Sequence, residues 1–177
     1  MRSAASPVVL SLILLLHPRA ECGAQQAGRA LDPLTDQETE ELRDAATFPV
    51  PRVELYIKDI DERMDAMRRL IGLDEPNLPS ELRRRYQAFT ALADELEDNL
   101  DTYDDQHADL RKALKLLTAK TAAWTAVVNE PRPDAVYDIQ RKEAVVAIQA
   151  LQEDTRQRML SETKYFAERK KSRKNGG

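Results

Sequence analysis

Glycine and cysteine are both scarce in this chain of 177 residues, which contains five glycines and one cysteine. Five glycines are too few for Gly-rich phosphate loops, nucleophile elbows and most β-rich architectures, because these need glycine at turns and bulges. A single cysteine excludes a disulfide framework and any Cys₄ or Cys₂His₂ zinc site. The abundant residues are instead the helix formers alanine, leucine, glutamate and arginine, which favour an all-α protein.

Residues suited to catalysis are also few. General acid–base chemistry at neutral pH most often uses histidine, and the chain contains only His17 and His107. Neither histidine belongs to a Glu-x-x-His, His-Glu-x-x-His or Cys-x-x-Cys-His motif. Ser80 is the expected N-cap of a helix, while Ser161 and Ser172 have no histidine close by in sequence. We therefore predict a protein that is not an enzyme and that holds no cofactor.

Residues 1–24 are typical of a secretory signal peptide. Arg2 adds positive charge near the N terminus, residues 8–16 form a nine-residue apolar run, and Cys22 and Ala24 are small residues suited to cleavage. Nine apolar residues are too few to span a bilayer, which requires about 20. We therefore predict export to the periplasm or the medium, without a transmembrane segment.

The rest of the sequence predicts a bundle of helices. Residues 25–34 suggest a flexible leader, and Thr35 with Glu38 forms a capping box that starts a short helix. Apolar residues then recur at spacings of three and four, and the four longer helices are expected near residues 51–71, 80–103, 109–128 and 134–172. The expected fold is an up-down four-helix bundle over residues 35–172, with a short extra N-terminal helix and an overhanging C-terminal helix. Residues 173–177 are expected to be a disordered tail.

The same spacing predicts which residues form the core. The first three long helices give regular seams, whereas the seam of the last one is weaker. The predicted core positions are Val53, Ile57, Ile60, Met64, Met67 and Ile71; Leu82, Tyr86, Phe89, Ala93, Leu96, Leu100 and Tyr103; Leu110, Leu114, Leu117, Thr121, Trp124 and Val128; and Tyr137, Ala144, Ile148, Leu151, Thr155, Met159 and Phe166.

An acidic stripe is the strongest local feature. Eight acidic residues fall between positions 94 and 109, and four of them share one helix face: Asp94, Asp98, Asp101 and Asp105. Such carboxylates could bind a hard cation such as Ca²⁺, or they could form a solvated face that keeps the protein soluble. An EF-hand loop starting at Asp105 would need Gly and Glu where the sequence has Leu110 and Leu116. We therefore expect a solvated face without a tight metal site.

A basic run lies near the C terminus. Its residues are Arg169, Lys170, Lys171, Arg173 and Lys174. Such a run can bind an anionic surface, such as lipid headgroups or a cell-wall polymer. It can also simply stabilise the C-terminal end of a helix and fray in solvent. The formal net charge of −4 argues against nucleic acid as a partner.

Two stretches carry a resemblance to a known family. The first is Asp32-Pro33-Leu34-Thr35-Asp36, and the second runs through residues 94–103 and 109–115. Together they resemble an uncharacterised family of small exported bacterial helical proteins, over most of the chain after the predicted signal. The resemblance implies export and an all-helical fold, and it assigns no activity and no functional residue.

These patterns favour an exported, non-enzymatic interaction or scaffold protein of the cell envelope. Its partner would be an unidentified protein or an anionic envelope surface, and the protein itself a monomer or weak oligomer. The first alternative is a bundle that binds a small ligand or a divalent cation through the acidic stripe. The second alternative is a holdase-like periplasmic chaperone.

Overall fold

The computed structural model describes residues 33–73 and 76–175, and this part of the chain forms five helices without any strand. The helices are α1 (Asp36–Asp44), α2 (Pro49–Ile71), α3 (Leu78–Asp105), α4 (Arg111–Asn129) and α5 (Asp138–Asn175). The predicted all-α bundle is therefore confirmed. Among these helices, none is long and apolar enough to cross a membrane. The predicted signal peptide and all but the last two residues of the predicted leader lie outside the described residues.

The predicted cap of α1 is present, whereas α2 and α3 begin earlier than predicted. At α1, the Glu38 amide donates to Thr35 Oγ1 at 3.2 Å, and the Thr35 amide donates to Glu38 Oε2 at 2.7 Å. Two prolines, Pro49 and Pro79, lie in the first turns of α2 and α3 instead of preceding these helices. A first turn accepts proline because its amides have no acceptor within the helix.

Helices α2 to α5 alternate in direction, but consecutive helices are not always neighbours. Both α2 and α5 pack against α3 and α4, so that α3 and α4 lie diagonally across the core from each other. Contacts across this diagonal join Tyr86, whose hydroxyl donates to the Val128 carbonyl at 3.1 Å, and Phe89, whose ring meets the edge of Trp124 with centroids 6.4 Å apart. The short segment from α3 to α4 therefore crosses the end of the bundle.

This arrangement makes two of the neighbouring helix pairs parallel. Between α2 and α4, the Lys112 ammonium lies 2.7 Å from Glu54, and the Trp124 indole donates to Asp61 at 2.9 Å. Residue numbers thus rise together along both helices. The α3 and α5 pair runs in the same way, with Tyr86 against Tyr137 near one end and Leu100 against Arg158 near the other.

The core consists largely of the predicted seams. Every predicted position of α3 and α4 is buried, and only Ile71 of the α2 positions is half-buried. On α5, however, Met159 and Phe166 are half-buried because the seam passes through Arg158 and Glu162 instead. The buried α5 residues are Ala144, Ile148, Leu151, Thr155, Arg158 and Glu162.

Helix α5 differs from the prediction at both ends. It begins at Asp138 because Asp134 Oδ1 accepts the Val136 amide at 2.8 Å, which holds the preceding residues in a turn. It continues to Asn175, so residues 173–175 are helical and not part of a disordered tail. Lysine and arginine favour helix, and the next glycine is Gly176. At 38 residues, α5 is about 57 Å long, and the predicted overhang is confirmed.

Candidate functional site

The last nine helical residues of α5, 167–175, extend past the other helices, and we call them the projecting end. All nine residues are exposed. They include the five basic residues of the predicted anionic-surface site, Arg169, Lys170, Lys171, Arg173 and Lys174. Within the described part of the chain, none of the five forms an ion pair with a carboxylate. The structure thus presents these charges to solvent.

Aromatic and cationic contacts fix the base of the projecting end. His107, in the segment between α3 and α4, has a φ of 53° and is a turn residue. Its ring stacks on Tyr165 with centroids 5.1 Å apart, and the Arg111 guanidinium lies 4.7 Å from the centre of the Phe166 ring. Cation–π contacts of this kind contribute about 0.5–1 kcal/mol at exposed sites. The direction of the projecting end is therefore set by the bundle.

Nearby carboxylates are largely neutralised by arginines of the bundle. Arg158, whose side chain is 8% exposed, lies 2.5 Å from Asp154 and 3.5 Å from Asp104, and it also pairs with Asp101. Its Nη1 donates to the Leu100 carbonyl at 2.9 Å, which ties α5 to α3. Arg111 in turn pairs with Asp109 at 2.6 Å. The acidic residues at this end are thus held by their own partners and not by the basic run.

The acidic stripe faces outward. Its four residues, Asp94, Asp98, Asp101 and Asp105, are all exposed. Asp101 is held by Arg158, and partial burial together with the neighbouring Asp98 raises the pKa of Asp94. In the described ranges, the carboxylates that converge within 4.8 Å of one another are a different set, Glu38, Asp59 and Glu62.

That converging set surrounds Arg63, which attaches α1 to α2. The guanidinium donates to both carboxylate oxygens of Glu38 at 2.6 Å and to the Pro33 carbonyl at 2.8 Å. These hydrogen bonds lower the pKa of Glu38 to about 2, whereas burial raises the pKa of Asp59 to about 6. Because both carboxylate oxygens of Glu38 already accept hydrogen bonds from Arg63, this cluster holds α1 against α2. The sequence showed only the capping role of Glu38, since Arg63 is 25 residues away.

Two grooves flank the exposed side of α5. The groove against α4 has a volume of about 550 Å³ and is lined by apolar groups that include Met159 and Leu160. The groove against α3 has a volume of about 500 Å³, and Val146, Asp94 and Glu97 are among the residues that line it. Such lining residues suit contact with another surface better than chemistry on a small substrate.

Comparison with known proteins found no matching family model, no matching curated protein and no matching solved structure. The functional argument therefore depends on the geometry of the bundle and on the distribution of charge over its surface. The most distinctive features are the basic projecting end, the outward acidic stripe and the arginines that neutralise acids between them.

Proposed function

We propose that this chain is an exported, non-enzymatic helical-bundle protein of the cell envelope that binds an anionic surface through the projecting end of α5. The observation that carries the proposal is the position of the basic run. Five cationic side chains stand on a rigid helix beyond the bundle, where they form no ion pair with the described carboxylates. The signal-like residues 1–24 and the resemblance to small exported helical proteins support the envelope location.

The expected interaction is electrostatic. Each lysine or arginine close to an anionic membrane surface contributes about 1 kcal/mol, so five of them give useful affinity without any pocket. Lipid headgroups and cell-wall polymers share the phosphate and carboxylate groups that would be recognised. The attraction should weaken as the Debye length falls from about 10 Å at 0.1 M salt to about 3 Å at 1 M.

The test compares two variants with equal loss of charge. One replaces Arg169, Lys170, Lys171, Arg173 and Lys174 with glutamine, and the other replaces Arg43, Arg68, Arg69, Arg83 and Arg84. All ten residues are exposed, and the second set lies on the body of the bundle. We expect the wild type and the second variant, changed on the body of the bundle, to co-sediment with vesicles containing about 30% anionic lipid. The first variant, changed on the projecting end, should stay in solution.

Further binding measurements identify which anionic material the protein recognises. Neutral vesicles should retain none of the three proteins, and isolated cell wall is tested in parallel with the anionic vesicles. Retention on one material alone identifies that material as the surface. Equal retention of all three proteins on every anionic material at low salt would refute binding through the projecting end.

The alternatives have weaker support. A cation-binding bundle would use the acidic stripe, yet its carboxylates face solvent and Asp101 is held by Arg158. A holdase would need a broad apolar surface for unfolded chains. The large exposed apolar residues on α5 are Ile139, Val146, Leu160 and Tyr165, which are separated by charged and polar residues.

A further inference from the structure

Helix α5 carries a second regular seam on the side facing away from the core. From Glu143 to Lys174, ten positions follow one another at alternating spacings of three and four residues, and every one of them is exposed. We call these positions the outer stripe. Such spacing keeps a row of side chains facing a partner helix. Val146 and Leu160, both on the stripe, are 62% and 59% exposed.

The charge of the outer stripe changes from negative to positive along the helix. The half nearer the N terminus contains two acids and two apolar residues, namely Glu143, Val146, Ala150 and Glu153. Gln157 and Leu160 lie in the middle. The half nearer the C terminus contains Lys164, Ala167, Lys171 and Lys174. A helix with this pattern complements a copy of itself that runs in the opposite direction.

The pairing is regular over the whole stripe. When two copies are aligned so that Gln157 of one faces Leu160 of the other, the two alanines, Ala150 and Ala167, also face each other. In the same register both acids of the stripe face lysines, which gives the pairs Glu143 with Lys174 and Glu153 with Lys164. Two-fold symmetry repeats each pair, so one dimer gains four ion pairs. The facing alanines allow the helices to approach closely.

We propose that two copies of this chain associate through their outer stripes, with the α5 helices antiparallel. The contact covers residues 143–174 and is about 46 Å long. The groove between α3 and α5 adds to the attraction, because Asp94 and Glu97 line it beside Val146 and Lys171 of the second copy lies opposite Val146. Since most of the facing residues are polar, the dimer is sensitive to salt.

This contact leaves other basic residues of the projecting end free. At about 100° per residue, Arg169 and Arg173 lie on the side of α5 that continues the buried seam, away from the outer stripe, whereas Lys170 lies between the two faces, beside Lys174. The dimer uses Lys164, Lys171 and Lys174. Binding to an anionic surface and association with a second copy are therefore separable by mutation.

A charge-reversal experiment tests the proposal on the full chain. The first variant combines Glu143→Lys with Glu153→Lys, and the second combines Lys164→Glu with Lys174→Glu. In sedimentation equilibrium at low salt, the wild type should approach twice the monomer mass as its concentration rises. Each variant should remain monomeric because its stripes repel, whereas an equimolar mixture of the two variants should recover the dimer.

The control makes the same type of charge change away from the stripe. Arg69→Glu with Arg83→Glu alters two exposed basic residues on α2 and α3, and this variant should still dimerise. Circular dichroism at all concentrations used should show equal helix content in every variant. A wild type that stays monomeric at low salt, or a mixture that stays monomeric, overturns the proposal. So does association that occurs only on anionic vesicles.

Disulfide trapping tests the antiparallel register. In a Cys22→Ser background, chains with Glu153→Cys and chains with Lys164→Cys should cross-link when mixed, since these positions face each other. Either variant alone should not cross-link, because its two cysteines would be offset by about 16 Å along the helix. Cross-links within each variant, without cross-links between the two variants in the mixture, would refute the antiparallel arrangement.

Discussion

The packed and projecting parts of α5 belong to one uninterrupted helix but have opposite environments. Between residues 144 and 162, every third or fourth side chain enters the core, whereas between residues 163 and 175 only Phe166 is even half-buried. The backbone continues because its residues favour helix, while burial stops where α3 ends and α4 begins. The local sequence thus determines how far a helix continues, whereas the neighbouring helices determine how much of it is buried.

The change from packed to projecting helix passes through charged residues. The buried seam is apolar from Ala144 to Leu151, and it then includes Arg158 and Glu162. Both side chains bond backbone groups of other elements: Arg158 donates to the Leu100 carbonyl of α3, and Glu162 accepts the amide of Leu110, in the segment that crosses the bundle, at 3.0 Å. Buried charges are tolerated there because they form hydrogen bonds with polar backbone groups at this end of the bundle.

The largest expected difference is between two leucines on opposite faces of α5. Leu151→Ala should lower the free energy of unfolding by about 2–5 kcal/mol, because Leu151 is buried and its loss leaves a cavity. Leu160→Ala should lower it by less than about 0.5 kcal/mol, since Leu160 is exposed. Urea denaturation at high salt measures both without a contribution from dimers. Equal losses would show that the outer face is also packed.

Two arginines near the transition provide the next test. Arg158→Ala should lower the free energy of unfolding by about 2–4 kcal/mol, because it removes the link to Leu100 and leaves three carboxylates without their cation. Arg156→Ala removes a pair with Glu153 that lies fully in solvent and should leave the urea midpoint unchanged. Similar shifts for both variants would contradict a specific role of Arg158.

Glu162 should make stability depend on pH. Burial raises the pKa of Glu162 above its usual value, so its ionisation is less favourable in the folded than in the unfolded protein. The contribution of Glu162 is therefore greatest below its ordinary pKa and is lost as pH rises through the raised one. Glu162→Gln keeps an acceptor for Leu110 and cannot ionise. Relative to the wild type, this variant should become progressively more stable as pH rises from below the ordinary pKa of Glu162 to above the raised one. If the free energies of unfolding of the wild type and the variant change with pH in parallel, Glu162 does not cause the pH dependence.

Removing residues 167–177 should have the smallest effect on folding. The deletion takes away the projecting end, whose described side chains are all exposed, so the free energy of unfolding should change by less than about 0.5 kcal/mol. Thermal melting of the truncated and full-length proteins at high salt, where the proposed dimer does not contribute, provides the measurement. A clear loss of stability would mean that the projecting end packs against the bundle.

The fold was predictable from sequence to the extent that single helices determine it. The seams of α3 and α4 were correct at every position because strongly apolar residues recur there without interruption. The diagonal position of α4 was not predictable, because an apolar seam fits either order of helices and the segment from Gln106 to Leu110 reaches a neighbouring or an opposite position. The seam of α5 was misassigned near Met159 because the buried residue is Arg158, whose charge suggested the surface.

The charged surfaces were predictable only in part. Exposure of the basic run and of the acidic stripe follows from composition, and the pairing of Asp154 with Arg158 follows from their spacing. The pairing of Arg158 with Asp101 joins residues 57 positions apart, and no local pattern signals it. Likewise, Glu54 pairs with Lys112 on α4, 58 positions away in sequence, although Lys58 lies four residues after it.

In the proposed binding to an anionic surface, the length of the projecting end also sets the distance between the bundle and that surface. Nine helical residues extend about 14 Å, which exceeds the Debye length of about 8 Å at physiological ionic strength. Charges at the tip therefore experience little of the field of the acidic body from which they extend. A protein with net negative charge can in this way approach an anionic surface. Salt screens the repulsion between the acidic bundle and that surface at the distance that the helix maintains.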